Sequence, residues 1–161
     1  MILYHGSNIE VGQPQILAPN RALDFGVGFY TTLNRDQAAD FARKVFLRRG
    51  VGSPVLNVYE IDEQVAFPPC SVLRFDAPDD AWLDFVCDNR DGEYVGPQYD
   101  FKFGPVADDD VYRTLALYRG GQLSREDTLK QLKIKSLYNQ LVFATPRALS
   151  FIRFRHSEVL S

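Results

Sequence analysis

Cysteine is nearly missing from this 161-residue chain: Cys70 and Cys87 are too few for a disulfide scaffold or a thiolate zinc site. We read both as reduced core residues of a cytoplasmic protein. Histidine is as scarce, with His5 and His156 alone, and no spacing of ligand-type residues suggests a metal centre. Apolar runs are only a few residues long, which excludes a transmembrane helix and makes a membrane partner unexpected. The opening Met1-Ile2-Leu3-Tyr4-His5-Gly6 has neither the basic nor the apolar region of a secretory signal. Gly26-Val27-Gly28 is not a phosphate loop, because a β-prone stretch follows it instead of Lys-Ser/Thr opening a helix. A nucleophile elbow is also missing, and neither cysteine stands in an electropositive motif.

What is present fits one globular domain spanning 1–161. The length matches the roughly 150 residues of a single domain, and 45% hydrophobic with 24% charged residues argues against disorder. The net charge of −3 hides three blocks. Residues 1–51 carry six basic and four acidic side chains, 52–110 three and fourteen, and 111–161 nine and three. Such blocks either match one another inside the fold or steer charged partners.

The pattern mixes strands and helices without regular alternation, which predicts an α+β fold with largely antiparallel pairing. Strands are expected at 2–5, 54–61, 72–75, 99–103, 141–144 and 151–154, where β-prone residues are bounded by turn signals, and the glycine-punctuated turn Asp24–Thr32 runs into a further β-prone stretch. In the stretch at 99–103, Tyr99, Phe101 and Phe103 alternate with Asp100, Lys102 and Gly104, a half-buried pattern. The clearest helix starts at Asn34, with Gln37 at capping-box spacing. It continues through Ala38, Phe41, Ala42 and Val45, and stops at Gly50. Pro78 suits the first turn of a helix carrying Trp82, Leu83 and Val86. Two further helices are expected, one entered through Asp108-Asp109-Asp110 and closed by Gly120-Gly121, the other capped by Ser124.

Three polar groups stand against strands and turns: His5 beside Gly6, Tyr30 after Gly28-Phe29, and Gln140 after Tyr138-Asn139. Singly, each suits ordinary core or surface structure. Together, Tyr4-His5-Gly6-Ser7, Asp24-Phe25-Gly26-Val27-Gly28-Phe29-Tyr30-Thr31-Thr32 and Gln37-Ala38 resemble an uncharacterised bacterial family grouped with the ADP-ribosyltransferases. Phe103-Gly104-Pro105-Val106-Ala107-Asp108-Asp109 and Leu137-Tyr138-Asn139-Gln140-Leu141-Val142-Phe143 match its later blocks in order. The resemblance is to the branch that holds diphtheria-type toxins and poly(ADP-ribose) polymerases, marked by His, Tyr and a final Glu. Here those positions fall on His5, Tyr30 and Gln140.

The resemblance implies an ADP-ribosyltransferase-like split β core, with NAD as co-substrate in a cleft between two small sheets. It implies that Gly6 pairs its backbone with the nicotinamide carboxamide and that His5 bonds a ribose hydroxyl. Tyr30 would stack on the charged nicotinamide ring, with Phe29 and Ser7 nearby. Arg21, Arg35 or Arg43 would meet the pyrophosphate. The implied activity is mono-ADP-ribosylation of a macromolecule, nucleic acid or protein, by the toxin half of a bacterial toxin–antitoxin or defence pair with a cognate antitoxin.

Gln140 departs from the glutamate of the best-known members. The glycosidic bond breaks through an oxocarbenium-like cation. A carboxylate about 4 Å away would stabilise it by roughly 4 kcal/mol at an effective dielectric of 20, about a thousandfold in rate. An amide keeps a hydrogen bond to the ribose but brings no full charge. Three other readings follow: an NAD glycohydrolase, a non-catalytic module binding NAD, ADP-ribose or RNA, and a metal-free ribonuclease pairing His5 with His156 in a frayed tail. For a nucleic-acid acceptor the candidate surface is Arg113, Arg119, Arg125, Lys130, Lys133 and Lys135.

Overall fold

Seven strands carry the described fold, and helices fill the spaces between them. The computed structural model describes residues 1–17, 23–106, 109–135 and 137–161. In chain order the elements are β1 (Ile2–Ser7), β2 (Phe29–Thr32), α1 (Arg35–Arg49), β3 (Val55–Glu60), α2 (Glu63–Ala66), β4 (Val72–Arg74), α3 (Asp80–Asp91), β5 (Phe101–Pro105), α4 (Asp109–Arg119), α5 (Arg125–Ile134), β6 (Asn139–Phe143), α6 (Pro146–Leu149) and β7 (Arg153–Val159). The fold is α+β. Its strands form one sheet in the order β4-β5-β6-β2-β1-β3-β7, and only β4–β5 is parallel.

Two separate small sheets are therefore not what forms, but the single sheet is nearly divided. β1 pairs with β3 at six positions and β2 with β6 at four, whereas β1 and β2 meet only at Tyr4↔Thr32. Past that point the His5 imidazole replaces the ladder, with Nδ1 2.8 Å from the Tyr30 carbonyl oxygen. A side chain standing where a backbone N–H would pair lets the two strands part.

Each face of the sheet has its own core. On the helical face Tyr30, Val142 and Phe25 meet Trp82, Leu83 and Val86 of α3, Val111 and Leu115 of α4, and Leu132 of α5. The opposite face gathers Leu3, Phe29, Tyr59, Phe101, Leu141 and Phe143. On the helical side of β1, α1 presents small residues: Ala38, Ala39, Ala42 and Val45 are buried. Phe41, expected on that face, is 46% exposed. The helix lies so close to β1 that only small side chains fit beneath it, alanine above all.

The capping signals hold at two helices. Asn34 accepts from Gln37 N, Gly50 turns left-handed at φ 68°, and Ser124 accepts from Asp127 N. For α3 the cap is Asp79, which accepts from Trp82 N, so Pro78 precedes the helix instead of sitting in its first turn. The expected entry at Asp108 lies outside the described residues. The short α2 was not anticipated; four residues capped by Asp62 are too few to show a period.

Two strand readings also change. β7 runs on to Val159, its polar residues paired with β3, so His156 lies in a strand opposite Val58 and not in a frayed tail. β5 is buried on both faces, including Lys102. Helices on one side and aromatics on the other leave this strand no solvent face.

The charge blocks largely match one another. From the basic third, Arg119 pairs with Asp91, Arg125 with Asp80 and Asp84, and Arg153 and Arg155 with Glu60 of the acidic block. Lys130 pairs with Glu126. Half of the proposed nucleic-acid surface is thus already neutralised by protein carboxylates. Among the described residues no helix is long and apolar enough to cross a membrane, and no group of metal-ligating side chains occurs.

Candidate functional site

The site begins where β1 leaves β2. His5, Gly6 and Ser7 pair with Asn57, Leu56 and Val55 on β3 but have no register partner on β2. Backbone without a ladder partner invites a ligand to complete it. His5 stands at the rim of this gap, its ring 4.5 Å from that of Phe29. Because the Tyr30 carbonyl can only accept, Nδ1 carries the proton and Nε2 is left as a bare acceptor. Burial pushes the imidazole pKa below its ordinary 6.5, and the Tyr30 carbonyl opposes this in part.

A titration follows from that shift. A folded-state pKa below the unfolded value means the unfolded chain binds more protons in between, so this contribution to stability is full above 6.5 and lost as pH falls. We expect the His5 ring resonances in NMR to titrate with a midpoint below 6.5. A midpoint at or above that value would show the ring to be solvated or paired with a carboxylate.

Tyr30 is held by its own turn. Its hydroxyl donates to Gly26 O at 2.6 Å and accepts from Phe25 N at 3.0 Å. Desolvation raises the phenol pKa strongly, so the group is a neutral, half-buried ring fixed in orientation. The turn is itself anchored: Arg90 donates to the buried Asp24 carboxylate and stacks 3.7 Å above the Tyr112 ring.

Gln140 stands in the middle of the sheet, with Thr32 on one side and Gly104 on the other. Tyr30 pairs with Val142, so Gln140 is its diagonal neighbour, about 7 Å away in such ladders. The amide is 3% exposed, and its Nε2 has no hydrogen-bond partner. A buried donor left unpaired costs about 1–3 kcal/mol, unless something else occupies the site in the working protein.

Tyr30 and Gln140 therefore share the helical face, while strand alternation turns His5 and Phe29 to the opposite one. His5 joins the others through the Tyr30 main chain, not through a side-chain contact. Gly6 faces α1: a Cβ there would stand 2.1 Å from Ala38 O. Its missing side chain is already used by the helix, and only its backbone is open to a ligand. Ser7 is buried at the end of β1.

The arginines are not brought to this gap. Arg35 pairs with Glu158 and lines a cavity of about 240 Å³ with Tyr4, Val58, Arg155 and His156. Arg43 pairs with Asp40 at 3.0 Å, and Arg21 lies outside the described residues. That cavity lies on the Tyr4 face of β1, opposite His5. His5 and His156 therefore cannot act as an acid–base pair, and the ribonuclease reading is dropped. A second cavity, of about 270 Å³, adjoins the Gly26 turn. Neither is lined by His5, Tyr30 or Gln140.

One site residue was overlooked in the sequence. Asn57 is fully buried beside His5. Its Nδ2 donates to His5 O and Ile9 O at 3.3 and 3.2 Å, and its Oδ1 accepts from Val11 N at 2.8 Å. It thereby fixes the chain that leaves β1. A lone amide in the apolar run Val55-Leu56-Asn57-Val58-Tyr59 was the available signal.

No curated protein and no solved structure matches this chain. A family model described as a protein of unknown function, DUF3990, matches residues 1–154, almost the entire sequence, and the chain belongs to that family.

Proposed function

We propose that this chain is an NAD-dependent mono-ADP-ribosyltransferase in which a single, nearly divided sheet takes the place of the split core of that superfamily. The observation that carries the reading is the buried, unpartnered amide of Gln140, one diagonal from the fixed ring of Tyr30. A ribose hydroxyl oxygen is the acceptor that Nε2 lacks. The open edge at Gly6 and the bare Nε2 of His5 supply further groups of the kind NAD requires.

In this reading the backbone edge at Gly6 pairs with the carboxamide, and Tyr30 offers its ring to the cationic nicotinamide. The hydroxyl of Tyr30, tied to Gly26, keeps that ring from rotating. Gln140 Nε2 donates to a hydroxyl of the nicotinamide ribose, whereas His5 Nε2, on the opposite face, meets NAD only past the strand edge, accepting from a hydroxyl of the adenosine ribose. The bond from nicotinamide to ribose C1′ breaks and its electron pair leaves with nicotinamide. The acceptor's nucleophilic atom then bonds C1′ and gives up its proton. With an amide at position 140 the developing cation receives a dipole instead of a charge, which suits a single transfer to a good nucleophile better than rapid chain growth. The toxin setting and the cognate antitoxin rest on the resemblance alone.

The test is incubation of the full chain with adenylate-labelled NAD and a cell lysate, followed by nuclease or protease digestion. We expect label on a macromolecule, removed by one of the two digestions. Gln140→Ala and Tyr30→Ala should each reduce it by at least about tenfold, since one transition-state contact typically carries more than 1.4 kcal/mol. Free ADP-ribose without labelled acceptor would select the glycohydrolase. Binding of NAD without cleavage would select the non-catalytic module, and no NAD binding would end the proposal.

A further inference from the structure

Among the described charged side chains Lys102 is the most deeply buried. Its side chain projects from β5 into the helical-face core and is 3% exposed. Nζ donates to Phe25 O at 2.7 Å and stands 5.9 Å from the Phe85 ring. Among the described residues it forms no ion pair, so a buried cation has one carbonyl for company. Leaving such a charge uncompensated is costly, and desolvation lowers its pKa accordingly. A counter-charge supplied from outside would remove that penalty.

The route for one is open. Lys102 lines the cavity of about 270 Å³ with Gly26, Val27, Asn89, Tyr94 and Gln98. Two polar atoms converge where Gly26 lacks a side chain: a Cβ there would stand 2.9 Å from Asn89 Oδ1 and 3.3 Å from Lys102 Nζ. Asn89 Nδ2 is already given to Phe85 O at 2.9 Å, so the amide turns its acceptor toward the glycine. One wall of the site is thus an ammonium and the other a carbonyl oxygen.

We propose that this cavity binds a phosphate group, its anionic oxygen on Lys102 and a P–OH on Asn89. The donor requirement selects the ligand. A monoprotonated phosphate offers both an anionic acceptor and a donor, whereas an ionised carboxylate accepts only. The site is independent of the transferase reading, although Gly26 and Phe25 belong to both: their backbone groups hold the Tyr30 hydroxyl on one side and Lys102 on the other.

The experiment is isothermal titration of the full chain with inorganic phosphate, AMP and acetate at matched ionic strength, with melting curves in parallel. Phosphate should bind saturably in the millimolar range or tighter and raise the melting temperature, with acetate at least about tenfold weaker. Lys102→Met keeps the unbranched apolar stem, removes the terminal ammonium with its charge, and should abolish the phosphate response. Should that variant fail to fold, Val27→Trp, at a position 47% exposed at the mouth, should block binding with Lys102 intact. AMP binding tighter than phosphate identifies a nucleotide as the source of the group, and equal binding identifies free phosphate. The proposal is overturned if phosphate shows no saturable binding, if acetate matches it, or if either folded variant binds phosphate as the wild type does.

Discussion

Gln140→Glu is expected to accelerate nicotinamide release from NAD by up to about a thousandfold. In the proposed site the amide takes the place of a carboxylate that, at about 4 Å, would add roughly 4 kcal/mol of stabilisation to a developing cation. Its surroundings set the pH at which that gain appears. The position is 3% exposed, so desolvation raises the new carboxyl's pKa, and the rate should climb as pH rises through it. The sign for stability is opposite. A folded-state pKa above the unfolded value makes the variant's relative stability greatest in acid and lost as pH rises. Stopped or continuous assay of nicotinamide across pH, beside denaturation curves at the same pH values, measures both. A folded variant with no acceleration at any pH would show that Gln140 does not face the reacting ribose, and would leave the phosphate site at Lys102 unaffected.

Gly6→Ala should be among the most destabilising single substitutions in the chain. The added Cβ would stand 2.1 Å from Ala38 O and 2.6 Å from Ala42 N, both backbone atoms of α1. Backbone cannot rotate aside as a flexible side chain would, so the helix must lift from β1. Overpacking of this kind costs about 3 kcal/mol or more, roughly 6–12 °C in melting temperature for a domain of this size. Gly50→Ala is the comparison, with strained φ of 68° but nothing within 4 Å of the new Cβ. It should lose only about 1–2 kcal/mol. Chemical denaturation of the two variants decides it. Equal losses would mean that backbone conformation, not the approach of α1, fixes Gly6.

The same glycine shows how far the sequence could be read. Its place after His5 marks a close approach of backbone, which the sequence reads as the approach of a ligand. In the fold α1 occupies the space a Cβ would fill, and only the strand edge remains for anything else. Arg35 misled for a related reason. A cation near a helix start looks available in sequence, and only the strand order shows Glu158 of β7 reaching it from the far end of the chain.

Local order was legible wherever the cause was local. The caps at Asn34 and Ser124, the stop at Gly50 and most strands follow from backbone geometry and side chains within a few residues. So did the α+β class, whereas the grouping of His5, Tyr30 and Gln140 came from the family resemblance alone. Tertiary structure alone decided what depends on contacts between distant residues. It made one sheet of the strands and opened that sheet at the His5 imidazole. It turned Lys102 inward against helices that a period-two pattern cannot reveal. It also left Gln140 without a hydrogen-bond partner, because whether a buried amide is satisfied depends on which distant residues the fold brings to it.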